Sequence, residues 1–414
     1  MAVSGFSGKS IRAQANNLTL DEVIGKTLAG YRLPETEALL FAQAGPQETG
    51  DICTAASEMR LQGKGTTVTF SPKVFIPLTH MCRDFCGYCT FRKDPKQAGK
   101  DIYMTPEQVL DVAKAGAELG CTEALFTLGE RPEQRYPEAK AWLEKRGFKT
   151  TLEYLTHICQ LVLEETDMLP HANPGTMARR EIAALQPFNP SMGLMLESTS
   201  KALYAKGGPH EFAPSKRPSV RLKTLELAGQ LRVPFTTGIL IGISESRRDR
   251  IESLLAIANL QAKYGHVQEV IIQNFLAKPE TPMEDAPDAE TDEFLWTVAV
   301  ARLILGPDAN LQVPPNLSAK DYQIYLKAGI NDWGGVSPLT IDFVNPEAPW
   351  PALTELKNKT EAAGFELKPR LPVYPEYFLN TDEFLPEPLL QKVSSMADAE
   401  GYVQGGMQRY ASKF

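Results

Sequence analysis

Val74-Phe75-Ile76-Pro77-Leu78-Thr79-His80-Met81-Cys82-Arg83-Asp84-Phe85-Cys86-Gly87-Tyr88-Cys89-Thr90-Phe91 is the stretch from which the fold can be read. Its first part is a short apolar run suited to a buried strand of a parallel sheet. The rest places three cysteines at Cx3Cx2C spacing. Three thiolates on one tight loop can hold three irons of a [4Fe–4S] cube and leave the fourth iron without a protein ligand. A zinc site that recruits His80 is an alternative, although zinc motifs usually separate their ligand pairs by a longer stretch. Inert or redox-sensing thiols are a third reading. The other cysteines, Cys53, Cys121 and Cys159, stand apart and read as small buried hydrophobes.

Downstream of this stretch, β-rich runs alternate with amphipathic helical patterns. Strands are expected over 74–79, 123–128, 168–171, 191–196, 235–241, 269–274, 310–313 and 329–332. Helices are expected over 152–165, 220–231, 251–264, 292–305 and 319–327. Another opens at Thr105-Pro106-Glu107-Gln108, where a capping threonine, a proline at the first helical position and a glutamine form a start signal. Such alternation implies a parallel sheet with right-handed crossovers. Eight units in about 260 residues match a (β/α)8 TIM-like barrel, with a doubly wound open sheet as the rival.

Upstream, Leu20, Val23, Ile24 and Leu28 lie at helical spacing, Pro34 opens a second segment, and a third covers 51–61 before Gly63 and Gly65. Past residue 345, prolines punctuate one helix over 352–363 and an otherwise irregular tail. The expected organisation is a helical N-terminal extension over 1–70 packing on the barrel, the barrel over 71–345, and a C-terminal helix and proline-rich tail over 346–414. The 414 residues carry a net charge of −8 with scattered basic positions, which argues against nucleic-acid binding. No apolar run reaches the roughly 18 residues of a membrane span. The opening MAVSGFSGKSIRAQANN lacks the apolar core of a secretory signal, so a cytoplasmic protein is expected.

With Tyr88 at its aromatic position, the cysteine loop resembles the Cx3CxΦC signature (Φ aromatic) of the radical S-adenosylmethionine (SAM) superfamily. The resemblance implies a [4Fe–4S] cluster on Cys82, Cys86 and Cys89, with S-adenosyl-L-methionine chelated at the open iron and Tyr88 close by. Thr127-Leu128-Gly129-Glu130 is similar to the family's GGE motif, with leucine for the first glycine, and implies that Gly129 and Glu130 meet the methionyl ammonium. Glu197 and Ser198, after the fourth strand, stand where the family contacts the cofactor's ribose or methionyl part. Gly238 and Gly242 belong to a stretch that looks like the GxIxGxxE motif used beside adenine. Read singly, each of these is also an ordinary strand-to-loop residue.

His171 and Asn173 after the third strand, and Gln273 and Asn274 after the sixth, are candidates for polar substrate edges; a structural histidine is the plainer reading of His171. Leu311 to Thr340 is the most distinctive region. A rim bearing Asn316, Asn331, Asp332 and Trp333 suits a flat heteroaromatic substrate, with the indole for stacking and the amides and acid for imide-like edges. The rival reading packs Trp333 in the core and makes Asn331 and Asp332 a turn.

From Lys73 to Pro351 the chain resembles the CofG subunits of FO synthase. That resemblance implies a radical SAM lyase that closes an adduct of tyrosine's hydroxybenzyl group and a ribitylaminouracil into the deazaflavin FO, releasing ammonia, 5′-deoxyadenosine and methionine. It also implies a CofH-type partner subunit that supplies the adduct and an external one-electron donor. CofH and related enzymes look similar around the cluster but usually carry leucine where this chain has Trp333. A fused bifunctional enzyme would need a second cysteine loop, and the sequence holds one. The remaining alternatives are another radical SAM activity, such as the CofH-type transfer, and a zinc or iron–sulfur binding protein without turnover.

Overall fold

A computed structural model describes residues 18–99, 102–318, 321–379 and 381–410. The opening segment 1–17 and the start of the helix expected over 319–327 lie outside the described residues. Strands β1 (Thr67–Thr79), β2 (Glu123–Leu128), β3 (Leu169–Asn173), β4 (Ser191–Gly193), β5 (Phe235–Ile241), β6 (Val267–Asn274), β7 (Leu311–Gln312) and β8 (Asp332–Val336) pair in parallel in that order. β8 returns to β1, which also pairs with β2, so the sheet closes into a (β/α)8 barrel and the open-sheet rival is excluded. Apart from the 13-residue β1, the strands are short, and they are mostly buried on both faces, as a barrel wrapped by helices requires.

The helices follow their local signals. Thr105 caps Pro106–Glu118 through the amide of Gln108, whose side chain returns the bond to Thr105. Thr19 and Glu22 do the same for Leu20–Leu28. Pro46–Lys64 lies against Thr291–Leu305, and with Leu20–Leu28 it covers one flank of the barrel. Among the described residues, no helix is long and apolar enough to cross a membrane.

Three differences from the sequence expectations matter. β1 begins at Thr67, upstream of the boundary expected at residue 70. Its first half pairs with a ninth strand, β9 (Glu366–Pro369), and its second half with β2. The tail is therefore not simply irregular. After β9 it crosses the amino-terminal end of the barrel, where Leu371, Val373, Tyr374 and Tyr377 join Leu389 and Val393 of helix Glu387–Met396 in a second apolar cluster. Finally, β8 starts at Asp332 rather than ending there, which moves every residue of that strand relative to the barrel mouth.

Candidate functional site

β1 hands the chain into the cysteine loop at the carboxyl end of the barrel, where (β/α)8 proteins place their chemistry. Neighbouring loops staple it through backbone hydrogen bonds. Arg83 N donates to Glu130 O at 2.8 Å, Phe85 N to Phe212 O at 3.0 Å, Gly87 N to Pro209 O at 2.7 Å, and Met283 N to Gly87 O at 3.0 Å. Gly129 makes the approach possible, since a Cβ there would collide with the Met81 carbonyl and come within 2.8 Å of Cys82 Cβ. The amide of Glu130 donates to Cys82 Sγ at 3.2 Å.

Cys82, Cys86 and Cys89 carry free, half-buried thiols that line one cavity of about 340 Å3. Burial pushes the Cys82 thiol up to about 12 and raises Cys86 as well. Such thiols stay protonated on their own and become good ligands when a metal replaces the proton. No other cysteine lines the cavity. Three converging soft donors without a fourth fit a [4Fe–4S] cube held at three corners. Among the described residues, no three His, Cys, Asp or Glu side chains converge tightly enough to hold a single metal ion.

Two buried carboxylates face this loop. Glu130 accepts from the Thr176 amide at 2.9 Å and its hydroxyl at 2.6 Å. Gly175 makes room for it, because a Cβ there would strike the carboxylate. Burial raises the Glu130 pKa despite these bonds. Glu197 sits in left-handed backbone (φ 68°), paired with Lys216 and lying 3.7 Å from Arg221. Burial opposes its charge, but those two cations hold its carboxyl down to about 2. Tyr88 Oη lies 3.5 Å from Glu197 and 2.9 Å from His210 Nε2, tying the cysteine loop to the loop after β4. Lys216 and Arg221 escaped the sequence reading because nothing local distinguishes them from solvated surface charges.

The other motif residues have structural surroundings. The Ser198 hydroxyl accepts from Ser200 N, forming a turn outside the cavity lining. Gly238 lets β5 approach β6, where a Cβ would collide with Ile271 O. Gly242 takes φ 91°, and its amide and that of Ile243 donate to Glu245, which pairs with Arg250 at 2.7 Å.

Of the substrate candidates, His171, Asn173 and Gln273 line the cavity. Asn274 and Asn316 lie outside its lining and are buried: Asn274 donates to Leu317 O, and Asn316 to Asp342 and to Ala348 O. The expected rim of Asn331, Asp332 and Trp333 does not form. Asn331 and Asp332 sit at the amino-terminal start of β8. There Asn331 binds Arg302, Asn310 and the Leu311 amide, while Asp332 pairs with Arg370 at 2.6 Å. Trp333 is fully buried, donates to Thr360 at 3.0 Å and meets Tyr322 edge-on at 5.2 Å. The indole that does line the cavity is Trp350, stacked on Phe75 with centroids 5.0 Å apart.

Comparison with known proteins agrees with this geometry. A family profile described as the radical SAM superfamily matches residues 76–257. The chain is 55% identical over 310 residues to the 7,8-didemethyl-8-hydroxy-5-deazariboflavin synthase of Methanopyrus kandleri, covering 75% of this chain and 92% of that protein. It is 49% identical over 407 residues to the FO synthase of Streptomyces avermitilis, covering 96% of this chain but 47% of the relative, so it spans about half that protein's length. In fold it is similar to the FeFe-hydrogenase maturase HydG of Carboxydothermus hydrogenoformans, with TM-score 0.68 and 20% identity over 90% of this chain and 83% of that one.

Proposed function

The chain belongs to the radical SAM superfamily and, within it, to the FO synthase family, and from that premise we propose that it performs the ring-closing half of deazaflavin FO formation. The proposed substrate is the adduct of a hydroxybenzyl group with a ribitylaminouracil, and the proposed products are FO and ammonia, making the chain a carbon–nitrogen lyase. A CofH-type subunit would supply the adduct and an external donor the electron. One observation supports this reading above others: three thiols, the buried carboxylates of Glu130 and Glu197 and several amides without protein partners line a single cavity that opens at the carboxyl ends of the strands.

In this reading Cys82, Cys86 and Cys89 hold the [4Fe–4S] cluster, and Glu130, Glu197, Lys216 and Arg221 present the fixed charges that orient the ammonium, hydroxyl and carboxylate groups of SAM. The chemistry supplied when both are bound is one-electron cleavage of a sulfonium, which allows hydrogen-atom abstraction from an unactivated position. The chain's own contribution is positioning and exclusion of water. Trp350 lies over Phe75 and donates to Thr340 O at 3.1 Å, fixing an aromatic wall. Tyr88, held by His210 and Glu197, keeps the cysteine loop in register with the charged loop after β4.

The test is anaerobic incubation of reconstituted protein with SAM, a low-potential reductant and the adduct, with Cys86→Ala as control. FO should appear with wild type alone. Formation of 5′-deoxyadenosine without deazaflavin would refute the named reaction. Formation of adduct from tyrosine plus ribitylaminouracil would assign the CofH-type step instead.

A further inference from the structure

The interior of a (β/α)8 barrel is ordinarily closed by layers of branched apolar side chains. Below the cysteine loop this barrel instead lines its cavity with Lys73, Glu123, His171, Glu269, Gln273 and Gln312. Two glycines keep the space open. A Cβ on Gly335 would collide with the Lys73 side chain, and one on Gly193 would lie 3.0 Å from His171 Nε2. Arg370 and Pro372 of the tail form the floor.

The charges of this chamber are already matched. Lys73 Nζ donates to Glu123 at 2.8 Å, and Arg370 bridges Asp332 at 2.6 Å and Glu269 at 2.7 Å. A charged ligand group would compete with these pairs, so the free capacity is for neutral hydrogen bonding. That capacity is considerable. Among the described residues, the side-chain amides of Gln312, Gln273 and Asn173 make no hydrogen bond to protein, and Lys73 gives one ammonium proton to Glu123 and no other to protein. The Ser191 hydroxyl donates to Pro372 O at 2.6 Å, so it must accept from His171 Nδ1–H at 2.7 Å. A neutral His171 then keeps Nε2 as an acceptor beside Gly193. Burial, the largest influence, lowers His171 to about 4 and so keeps the ring neutral.

We propose that this chamber is a polyol subsite, in which the ribityl chain of the substrate runs down the barrel axis toward Gln312, His171 and Lys73 while the ring system stays at the cysteine loop. Each hydroxyl of a polyol donates and accepts, which matches mixed donors and acceptors on facing strands. An apolar occupant would leave the amides desolvated and unpaired. The inference rests on the substrate reading above and extends it.

The test is fluorescence titration of anaerobically reconstituted holoenzyme with FO and with the deazaflavin whose ribityl chain is replaced by methyl. Wild type should bind FO at least about tenfold more tightly, as several hydrogen bonds of roughly three- to tenfold each would give. Gln312→Leu should shrink that advantage by roughly three- to tenfold and leave the methyl compound's affinity unchanged. Gln273→Leu serves as an independent second variant should the first fail to fold. Equal binding of the two ligands by wild type, or an undiminished advantage in the variants, overturns the subsite. A ribityl preference without FO formation from the adduct would instead overturn the reaction and keep the subsite. FO formation without the preference would do the reverse.

Discussion

Arg370→Met should destabilise the protein more than any single change at the barrel mouth. The guanidinium is 2% exposed and makes bonds of 2.6 and 3.1 Å to Asp332 and 2.7 Å to Glu269, besides one to Leu371 O. Both carboxylates are buried, and Glu269 already has its pKa raised by burial even with Arg370 beside it. Methionine fills similar volume but abandons two acids in the barrel floor. Removing one partner of a buried ion pair typically costs about 3–5 kcal/mol, most of it the penalty on the charge left behind. Equilibrium urea denaturation of the holoprotein at neutral pH measures it, with Arg370→Met/Asp332→Asn as the diagnostic partner. Because the second change removes one stranded charge, the double variant should recover a large share of the loss. A cost below about 1 kcal/mol for the single variant would refute the view that the tail closes the barrel electrostatically.

Gly129→Ala should lower the iron and sulfide content of anaerobically purified protein while leaving far-UV circular dichroism intact, since its Cβ would press on Met81 and Cys82; full cluster loading would contradict the tight approach. Trp333→Phe should cost about 1–2 kcal/mol of stability through the lost bond to Thr360 and lost packing. It should leave the adduct's KM unchanged, and a large rise in KM would return the indole to the substrate site. Burial, the largest influence on each ring, lowers His171 and His266 to about 4 in the folded protein. Below the unfolded value near 6.5 the unfolded chain takes up protons that the native state refuses, so stability should fall between pH 6.5 and 4. The limiting slope is about 3 kcal/mol per pH unit for the two rings together. A flat denaturation midpoint across that window would sink the assignment of both as neutral.

The cysteine cluster was legible because its signal is local: three thiols within eight residues need little knowledge of the rest of the chain. The same holds for the capping box at Thr105 and for the parallel strands, whose apolar runs are set by burial on both faces. The last strand was misplaced for an equally physical reason. Asp332–Val336 contains Gly334 and Gly335, which weaken a strand pattern, so the expected strand ended where the true one begins. At about 3.3 Å per residue, that shift carries Asn331 and Asp332 from the mouth to the floor. Trp333 follows them and turns outward onto Thr360 of helix Leu353–Ala362.

Sequence alone determined that three soft donors share one loop, because residue type and spacing are covalent facts. It also determined that the sheet would be parallel, because only crossovers join such strands. Tertiary structure alone decided what lies inside the barrel. Lys73, Glu123, His171, Glu269 and Gln312 come from five strands, and Arg370 arrives from a tail almost three hundred residues after Lys73. Whether a charged residue in an apolar strand faces water or a buried partner depends on closure of the sheet. No local pattern encodes that closure.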